Sequence, residues 1–553
     1  MRMLFPRIAG IVALTTTVHA LPAVEAAAPI PQVDLGYAIY QASAINTTSG
    51  IVSFNNIRYA ASPVGSLRWV PPAPPPDERK SGPINASSHT RICPQAQPAW
   101  NRIAIPGLGS DSQYTVPLGA SPLPQSEDCL LLDVQAPLKA FDRRAKKTPG
   151  PVIVFLHGGG FVAGNKAVYD GNGLLTRGGG EGVYVDVQYR TDGVPLQLGA
   201  FGWLTDPSKK SKITPNLGLL DQRQALKWIQ DNIGLFGGDP KRVTVVGESA
   251  GGGSVLYHST AYGGSKPKEN KLFQRGIPQS PYIVNITKTQ QTKSLRTFFD
   301  ALKVNSIEQA KSKSSDELIA ANVAVTVPSR YGTYTWGPTI DGDLIPELPG
   351  KLQLEGRYNR DIQMMPGHNS NEGRLFTNQS ADSPADYESY LRDTYPGITQ
   401  AKVNYISRIL YPAKYDGSSP YRTPQERLGL TVAESLFNCH CYGTDRTYGA
   451  SAYDYIFAVP PGLHFQDTKY TFYNGPFPNV IESLAKDIQT YFTSFAASGN
   501  PNQGNKLPEW PAFRKGEKGI VFTDKGIING NKLDAAAEKR CQFWLSGDVF
   551  GPQ

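Results

Sequence analysis

The sequence predicts an α/β fold in which a large, mostly parallel central sheet is flanked by helices and overlaid by long insertions. Three observations carry that expectation. From Gly150 onward, short apolar runs rich in β-branched residues alternate with stretches of helical periodicity. The apolar run 243–246 enters the turn Gly247-Glu248-Ser249-Ala250-Gly251, whose glycines permit a sharp bend from strand to helix. Hydrophobic residues make up 40% of the 553-residue chain, which suits one large and heavily decorated domain.

The elements follow in chain order. Arg2 and Arg7 accompany the apolar run 8–14, and small residues continue through Ala28, as in an export signal. Cleavage after Ala20 and cleavage around 26–28 both fit, so residues 1–28 are set apart from a single domain over 29–553. The apolar run is too short for a bilayer, and no later stretch supplies about 20 uninterrupted apolar residues. The proline tract 71–76 reads as an extended surface connector. Residues 130–134 are expected as an antiparallel edge strand, and 152–156 and 183–187 as buried strands. Leu220, Ala225, Leu226 and Ile229 give residues 217–233 helical periodicity, closed by a turn at Gly237-Gly238-Asp239-Pro240. Residues 243–247 form the strand before Ser249. Long insertions, 287–322 and 384–434, are expected to cap one end of the sheet. A strand at 453–457 and an amphipathic helix at 479–497 return the chain to the core.

Charge and cysteine content exclude several function classes. The net charge of +8 arises from 55 basic and 47 acidic residues without a long basic block. The densest cluster, Arg143-Arg144-Ala145-Lys146-Lys147, reads as a solvated connector, so no nucleic-acid partner is expected. Five cysteines suit disulfides in an oxidising compartment. Cys439-His440-Cys441 lacks a well-spaced second half, so no metal is expected there. Asn46, Asn85, Asn285 and Asn378 each begin an acceptor for N-glycosylation. A secreted, extracellular protein without a transmembrane segment accounts for all of these features.

The elbow at Ser249 offers a nucleophile, and the rest of the chain must supply its partners. His157-Gly158-Gly159-Gly160-Phe161 follows a strand directly, and its glycines can present backbone N–H groups to a developing oxyanion, together with Ala250 N–H. His157 itself reads as an organiser of that loop. Among the seven histidines, His464 is favoured as the general base because it lies in a loop just beyond a strand, at the catalytic edge of such a sheet. His368 competes with it. Glu372 is favoured only modestly over Asp341 and Asp467 as the acid that orients the imidazole.

The chain resembles the type-B carboxylesterase/lipase family, the cholinesterase-like secreted esterases of the α/β-hydrolase fold, over about residues 33–545. The resemblance rests on Phe54-Asn55-Asn56-Ile57-Arg58-Tyr59-Ala60, Leu67-Arg68-Trp69, Ser126-Glu127-Asp128-Cys129-Leu130 and the glycine loop at 157–161. It continues through Gly199-Ala200-Phe201-Gly202-Trp203-Leu204, Asn216-Leu217-Gly218-Leu219-Leu220-Asp221-Gln222 and Phe236-Gly237-Gly238-Asp239-Pro240 to the Ser249 elbow. It implies a Ser249, Glu372, His464 triad and oxyanion donors at Gly159, Gly160 and Ala250. Glu248 then belongs to the supporting polar network. The resemblance further implies a Cys93–Cys129 disulfide and a pairing of Cys541 with either Cys439 or Cys441. A secreted fungal member best fits the pattern.

The implied reaction is hydrolysis of carboxylic esters through an acyl-enzyme, with neither metal nor organic cofactor. The partner is a small-molecule or polymeric ester, and the oligomeric state is left between monomer and homodimer. Trp100, Phe161, Tyr282, Tyr331, Tyr334, Trp336 and Phe376 are candidate substrate-pocket residues and point toward hydrophobic or aromatic esters. The stretch between Cys93 and Cys129 lacks the continuous amphipathic helix of an interfacial lipase lid, so a carboxylesterase is favoured. A triacylglycerol or sterol-ester lipase is the alternative, followed by a non-catalytic cholinesterase-like binding protein.

Overall fold

The computed structural model describes residues 30–85, 91–94, 96, 98–102, 124–141, 148–190, 199–266, 269–513, 519–530 and 535–550. The proposed signal, the basic cluster at 143–147 and the entrance segment at 103–123 lie outside the described residues.

The strands, in chain order, are β1 (Gln32–Asp34), β2 (Ile39–Gln41), β3 (Ala44–Asn46), β4 (Ile51–Arg58), β5 (Leu131–Pro137), β6 (Gly150–Leu156) and β7 (Val183–Val187). They continue as β8 (Gly238–Glu248), β9 (Arg275–Gln279), β10 (Gln363–Met364), β11 (Gly367–Asn369), β12 (Tyr455–Phe457), β13 (Ile520–Thr523) and β14 (Gly526–Asn529). All but β1 and β2 belong to a 12-stranded sheet ordered β14-β13-β12-β11-β9-β8-β6-β7-β5-β4-β3, with β10 beside β9. The pairs from β7 through β13 are parallel, and the strands beyond them on either side pair antiparallel.

Alternation along the strands explains how both faces are covered. Val152, Val154 and Leu156 of β6 join Val243 and Val245 of β8 against Ala225, Leu226 and Ile229 of the helix Leu217–Asn232. Ile153 and Phe155 point the other way with Val246, and pack with Leu484, Ile488, Tyr491 and Phe495 of the helix Glu482–Ser498. Strands buried on both faces read as continuous apolar runs, as these do. Each such side chain, fully removed from water, contributes roughly 1.5–3 kcal/mol before entropy is counted.

The insertions form helices with strong start signals. Thr287, Ser314 and Ser383 each close a capping box at the head of the helices Lys288–Leu302, Ser315–Thr326 and Pro384–Thr394. Their buried faces join a third apolar cluster that extends to the residues around Ser249. Among the described residues, no helix is long and apolar enough to cross a membrane.

Three expectations need correction. Residues 130–134 do not form an edge: β5 lies between β4 and β7, its ladder filled on both sides. The turn at 237–240 contracts to Gly237 at φ +84°, because Gly238 already pairs with Gly150 as the start of β8. Asn285 is only 3% exposed and its Oδ1 accepts from Ile340 N–H, so the folded chain offers that amide to no glycan. Asn46, Asn85 and Asn378 are exposed.

Candidate active site

The order of strands places the site. After β6 the chain moves to β7 on one side, then returns to β8 on the other, so a crevice opens beyond the carboxyl ends of β6 and β8. Ser249 follows β8, and the glycine loop follows β6. Ser249 adopts φ 56°, ψ −118°, a conformation uncommon for a non-glycine residue and imposed by the tight turn. The turn closes because a Cβ on Gly251 would stand 1.9 Å from the Leu156 carbonyl oxygen, a contact only glycine avoids. Backbone bonds from Ser249 N–H to Gln279 O (2.9 Å) and from Tyr282 N–H to Ser249 O (2.9 Å) fix the elbow from the β9 side.

The loop after β6 meets this elbow closely. A Cβ placed on Gly158 would lie 3.0 Å from Ser249 Cβ. Gly159 and Gly160 take φ +116° and +64°, left-handed backbone that turns the loop sharply after β6. Ala250 opens the helix Ala250–Ser259, so its N–H has no acceptor within that helix. His157 is fully buried, stacked on Tyr189 at 4.4 Å, with Nδ1 3.1 Å from Gly158 O. Burial drives its pKa down to about 4, so it is a neutral structural group of the loop, as expected.

His464 and Glu372 come together from loops after β12 and β11. His464 Nδ1 donates to Glu372 Oε2. Glu372 Oε1 accepts from Ser280 Oγ (2.5 Å) and from Asn369 N–H (2.6 Å). Burial alone would raise this carboxyl, but the charge and hydrogen bond of His464, with the Ser280 bond, hold it below its ordinary value. The competing groups are engaged elsewhere. His368 Nδ1 lies 2.9 Å from Asn369 O, and Asp341 accepts from Asn216. Asp467 accepts from Tyr455 Oη, Gln279 Nε2 and Asn369 Nδ2, one layer behind Glu372.

Glu248, expected in the supporting polar network, stands outside it. Both its carboxyl oxygens are buried without a hydrogen bond among the described residues, and Oε1 lies 3.3 Å from His464 Nε2. Burial first, then the charges of Asp467 and Glu372, push its pKa well above the ordinary carboxylate range. His464 Nε2 forms no hydrogen bond in this arrangement, leaving it free to accept a proton.

Aromatic rings enclose these groups. His464 is ringed by Phe437 (4.5 Å), Phe376 (5.0 Å) and Phe465 (5.3 Å). Tyr334 covers Gly160, Tyr282 lies 5.8 Å from both Tyr334 and Phe437, and Phe161 lies tilted 5.9 Å from Tyr282. Trp100 closes the outer side against Tyr331, Tyr334 and Phe376. Trp336 differs: it packs on Gly199 and donates to Thr326 Oγ1, with no ring contact to the catalytic groups among the described residues. Phe437, Ser280 and Asn369 were not anticipated, since each is brought in by tertiary packing and carries no local motif, and Asp467, weighed as the orienting acid, instead stands behind Glu372. Two disulfides, Cys93–Cys129 and Cys439–Cys541, leave Cys441 as a buried thiol. No group of residues suited to a metal ion occurs among the described residues.

Comparison with known proteins agrees with this geometry. The carboxylesterase family profile matches residues 39–544. Carboxylesterase patB of Aspergillus clavatus is 36% identical, over 95% of this chain and 97% of that protein. Carboxylesterase patB of Penicillium expansum is 33% identical, over 94% and 96%. The crystal structure of Aspergillus niger EstA shares the fold, with a TM-score of 0.78 over 94% of this chain and 98% of that one, at 24% identity. The chain therefore belongs to the carboxylesterase family, as a serine-type carboxylic ester hydrolase of the α/β-hydrolase fold.

Proposed function

We propose that this protein is an exported serine carboxylesterase acting on hydrophobic or aromatic esters, with Ser249 as nucleophile, His464 as general base and acid, and Glu372 as the orienting acid. The convergence of Glu372 and His464 beside the strained Ser249 elbow carries this reading. His464 Nε2 takes the proton of Ser249 as Oγ attacks the ester carbonyl. The N–H groups of Gly159, Gly160 and Ala250 stabilise the oxyanion, each worth about 3 kcal/mol in comparable hydrolases. The imidazolium protonates the departing alcohol, and water activated by His464 then releases the acid. His464 Nε2 faces Glu248, the residue before Ser249, at 3.3 Å, and its bond to Ser249 is made as substrate enters.

The aromatic enclosure formed by Phe161, Tyr282, Tyr334 and Phe376 supports the ester preference. Export follows from the signal-like residues 1–28 and agrees with the two disulfides. Residues 29–553 then form one catalytic unit. Purified protein treated with a serine-directed phosphonate should be labelled once, at Ser249, and Ser249→Ala should lose both label and ester turnover. Retained turnover in Ser249→Ala refutes the assignment. Strong turnover of emulsified long-chain triglyceride, with none of soluble aromatic esters, would assign a lipase instead.

A further inference from the structure

We propose that a cavity behind the aromatic wall of the catalytic site is a second, non-catalytic binding site for an uncharged aromatic molecule bearing a hydroxyl group, anchored by His440. The cavity is about 500 Å³ and is lined by residues of the insertion helices and the C-terminal segment, including Tyr395, His440, Trp544 and Phe550. It contains none of the triad residues. Its size falls in the range of small-molecule pockets.

Two properties point to the ligand. The first is unmet hydrogen-bonding capacity. His440 is 6% exposed, and neither ring nitrogen has a hydrogen-bond partner among the described residues. The Ser435 backbone faces the ring without reaching hydrogen-bond geometry. Burial lowers the His440 pKa to about 4, so the ring is neutral near pH 7 and offers one donor and one acceptor. Tyr395 Oη and Thr394 Oγ1 are also buried, with the Ser435 and Tyr390 side chains beside them but outside hydrogen-bond geometry. Natural interiors rarely leave this many polar atoms unsatisfied. A hydroxyl, which both donates and accepts, matches the set.

The second property is the apolar surface between these groups. Tyr395 and Trp544 stack at 5.6 Å, and Phe550 meets Tyr395 edge-on at 5.5 Å. Trp544 Nε1 is already used by Tyr411 Oη, so its ring face is what remains to offer. Charge is confined to the rim, where Arg330 and Asp393 pair at 3.1 Å and the exposed Lys293 and Arg392 point to solvent-facing edges of the lining. An ionic ligand would find no buried counter-charge, whereas a planar phenol finds a slot of aromatic faces with polar atoms at its base.

The cavity shares Tyr282 and Tyr334 with the catalytic site. Tyr334 packs on Gly160 and Tyr282 on Phe161, so a ligand held behind them bears on the glycine loop. Occupancy is therefore expected to alter ester turnover as well.

The test uses 2-naphthol and naphthalene as probes on intact protein whose Ser249 carries a bulky phosphonate, which fills the catalytic site. Calorimetry should show 2-naphthol binding, with naphthalene at least about tenfold weaker because the polar groups stay unpaired. His440→Leu should weaken 2-naphthol about tenfold or more and leave naphthalene unchanged. If His440→Leu does not fold, the near-isosteric Thr394→Val should weaken 2-naphthol alone, by a smaller factor. Equal affinity of the two probes, an unchanged Kd in the folded variant, or no binding up to about 5 mM would mean a water-filled cavity and overturn the proposal. Because the catalytic serine is blocked throughout, these results stand apart from the proposed esterase mechanism.

Discussion

Replacing Glu372 by glutamine tests the catalytic assignment through a single hydrogen atom. The two carboxylate oxygens face different partners. Oε1 receives Ser280 Oγ–H at 2.5 Å and Asn369 N–H at 2.6 Å, while Oε2 receives His464 Nδ1–H. In Glu372→Gln the amide oxygen must take the Oε1 position, since an NH₂ group there would confront a fixed backbone donor. The NH₂ then faces His464 Nδ1, which must accept, so the remaining proton sits on Nε2. That tautomer cannot take a proton from Ser249. An orienting acid replaced by its amide in a comparable triad lowers kcat by about 10⁴, or about 5 kcal/mol in barrier. Stopped assays with a soluble aromatic ester should show this loss in kcat with KM changed less than about threefold, and the melting temperature should fall by only a few degrees. The parallel Asp467→Asn variant should lose less than about tenfold in kcat, since Asp467 contacts Tyr455, Gln279 and Asn369 but not His464. Activity of Glu372→Gln within about tenfold of wild type, or a larger loss in Asp467→Asn, would refute the reasoning.

Other outcomes follow from the buried groups. Glu248→Gln should change kcat at neutral pH by less than about fivefold, because burial pushes the Glu248 carboxyl toward the neutral acid form that glutamine imitates; a loss beyond about 10² would mean an ionised Glu248 supports His464. His157 and His440 each fall from 6.5 to about 4 on folding, so the unfolded chain binds more protons below pH 6.5. Their combined effect is full stability above about pH 6.5, lost as pH falls toward 4, by about 3 kcal/mol for each histidine. Denaturant titrations across that window should show the decline, and a flat profile would contradict neutral burial. Thiol titration should find Cys441 unreactive in the native protein and labelled in denaturant without reductant, since it is 1% exposed and the other cysteines are paired. Removing the Cys439–Cys541 bridge, which spans 102 residues, should cost about 4–5 kcal/mol of unfolding free energy.

The parts of the molecule legible in sequence are those set by local pattern. Residues 183–187 were expected as a strand and are β7, and the helix expected at 217–233 is Leu217–Asn232. The family motifs were visible as ordered strings, but their physical purpose was not. Arg58 pairs with Asp128 and Arg68 with Glu127, so the strings record long-range buried or half-buried ion pairs next to Cys129 of the Cys93–Cys129 bridge. Losing one partner of such a pair leaves an uncompensated charge, which is why both halves belong to the pattern. The choice between Cys439 and Cys441 was closed to sequence for a different reason. Two residues along a helix differ by about 200°, so only one sulfur can face Cys541, and tertiary packing selects which. Asn285 shows the same limit, since a sequon carries no information about its own burial. Ser280, Asn369 and Phe437 reach the site from separate elements, and no spacing rule joins them to Glu372 or His464.

The upward pressure that burial puts on the Glu248 pKa bears on how the proposed cycle turns over. His464 must accept a proton from Ser249 and then surrender it to a leaving alcohol, so its imidazolium must be stabilised, but not too strongly. Glu372, kept ionised by His464 and Ser280, supplies one negative charge on the Nδ1 side. A second ionised carboxylate 3.3 Å from Nε2 would hold the imidazolium in a deep well and compete with the alcohol for its proton. The fold opposes this by leaving both Glu248 oxygens without a hydrogen bond among the described residues, so burial pushes the carboxyl toward its neutral form. The aromatic rings of Phe376, Phe437 and Phe465 contribute by keeping the surroundings of His464 apolar, which raises the cost of an additional charge. Glu248 and the aromatic collar thus act on the same quantity, the depth of the imidazolium well, and they set it shallow enough for both proton transfers.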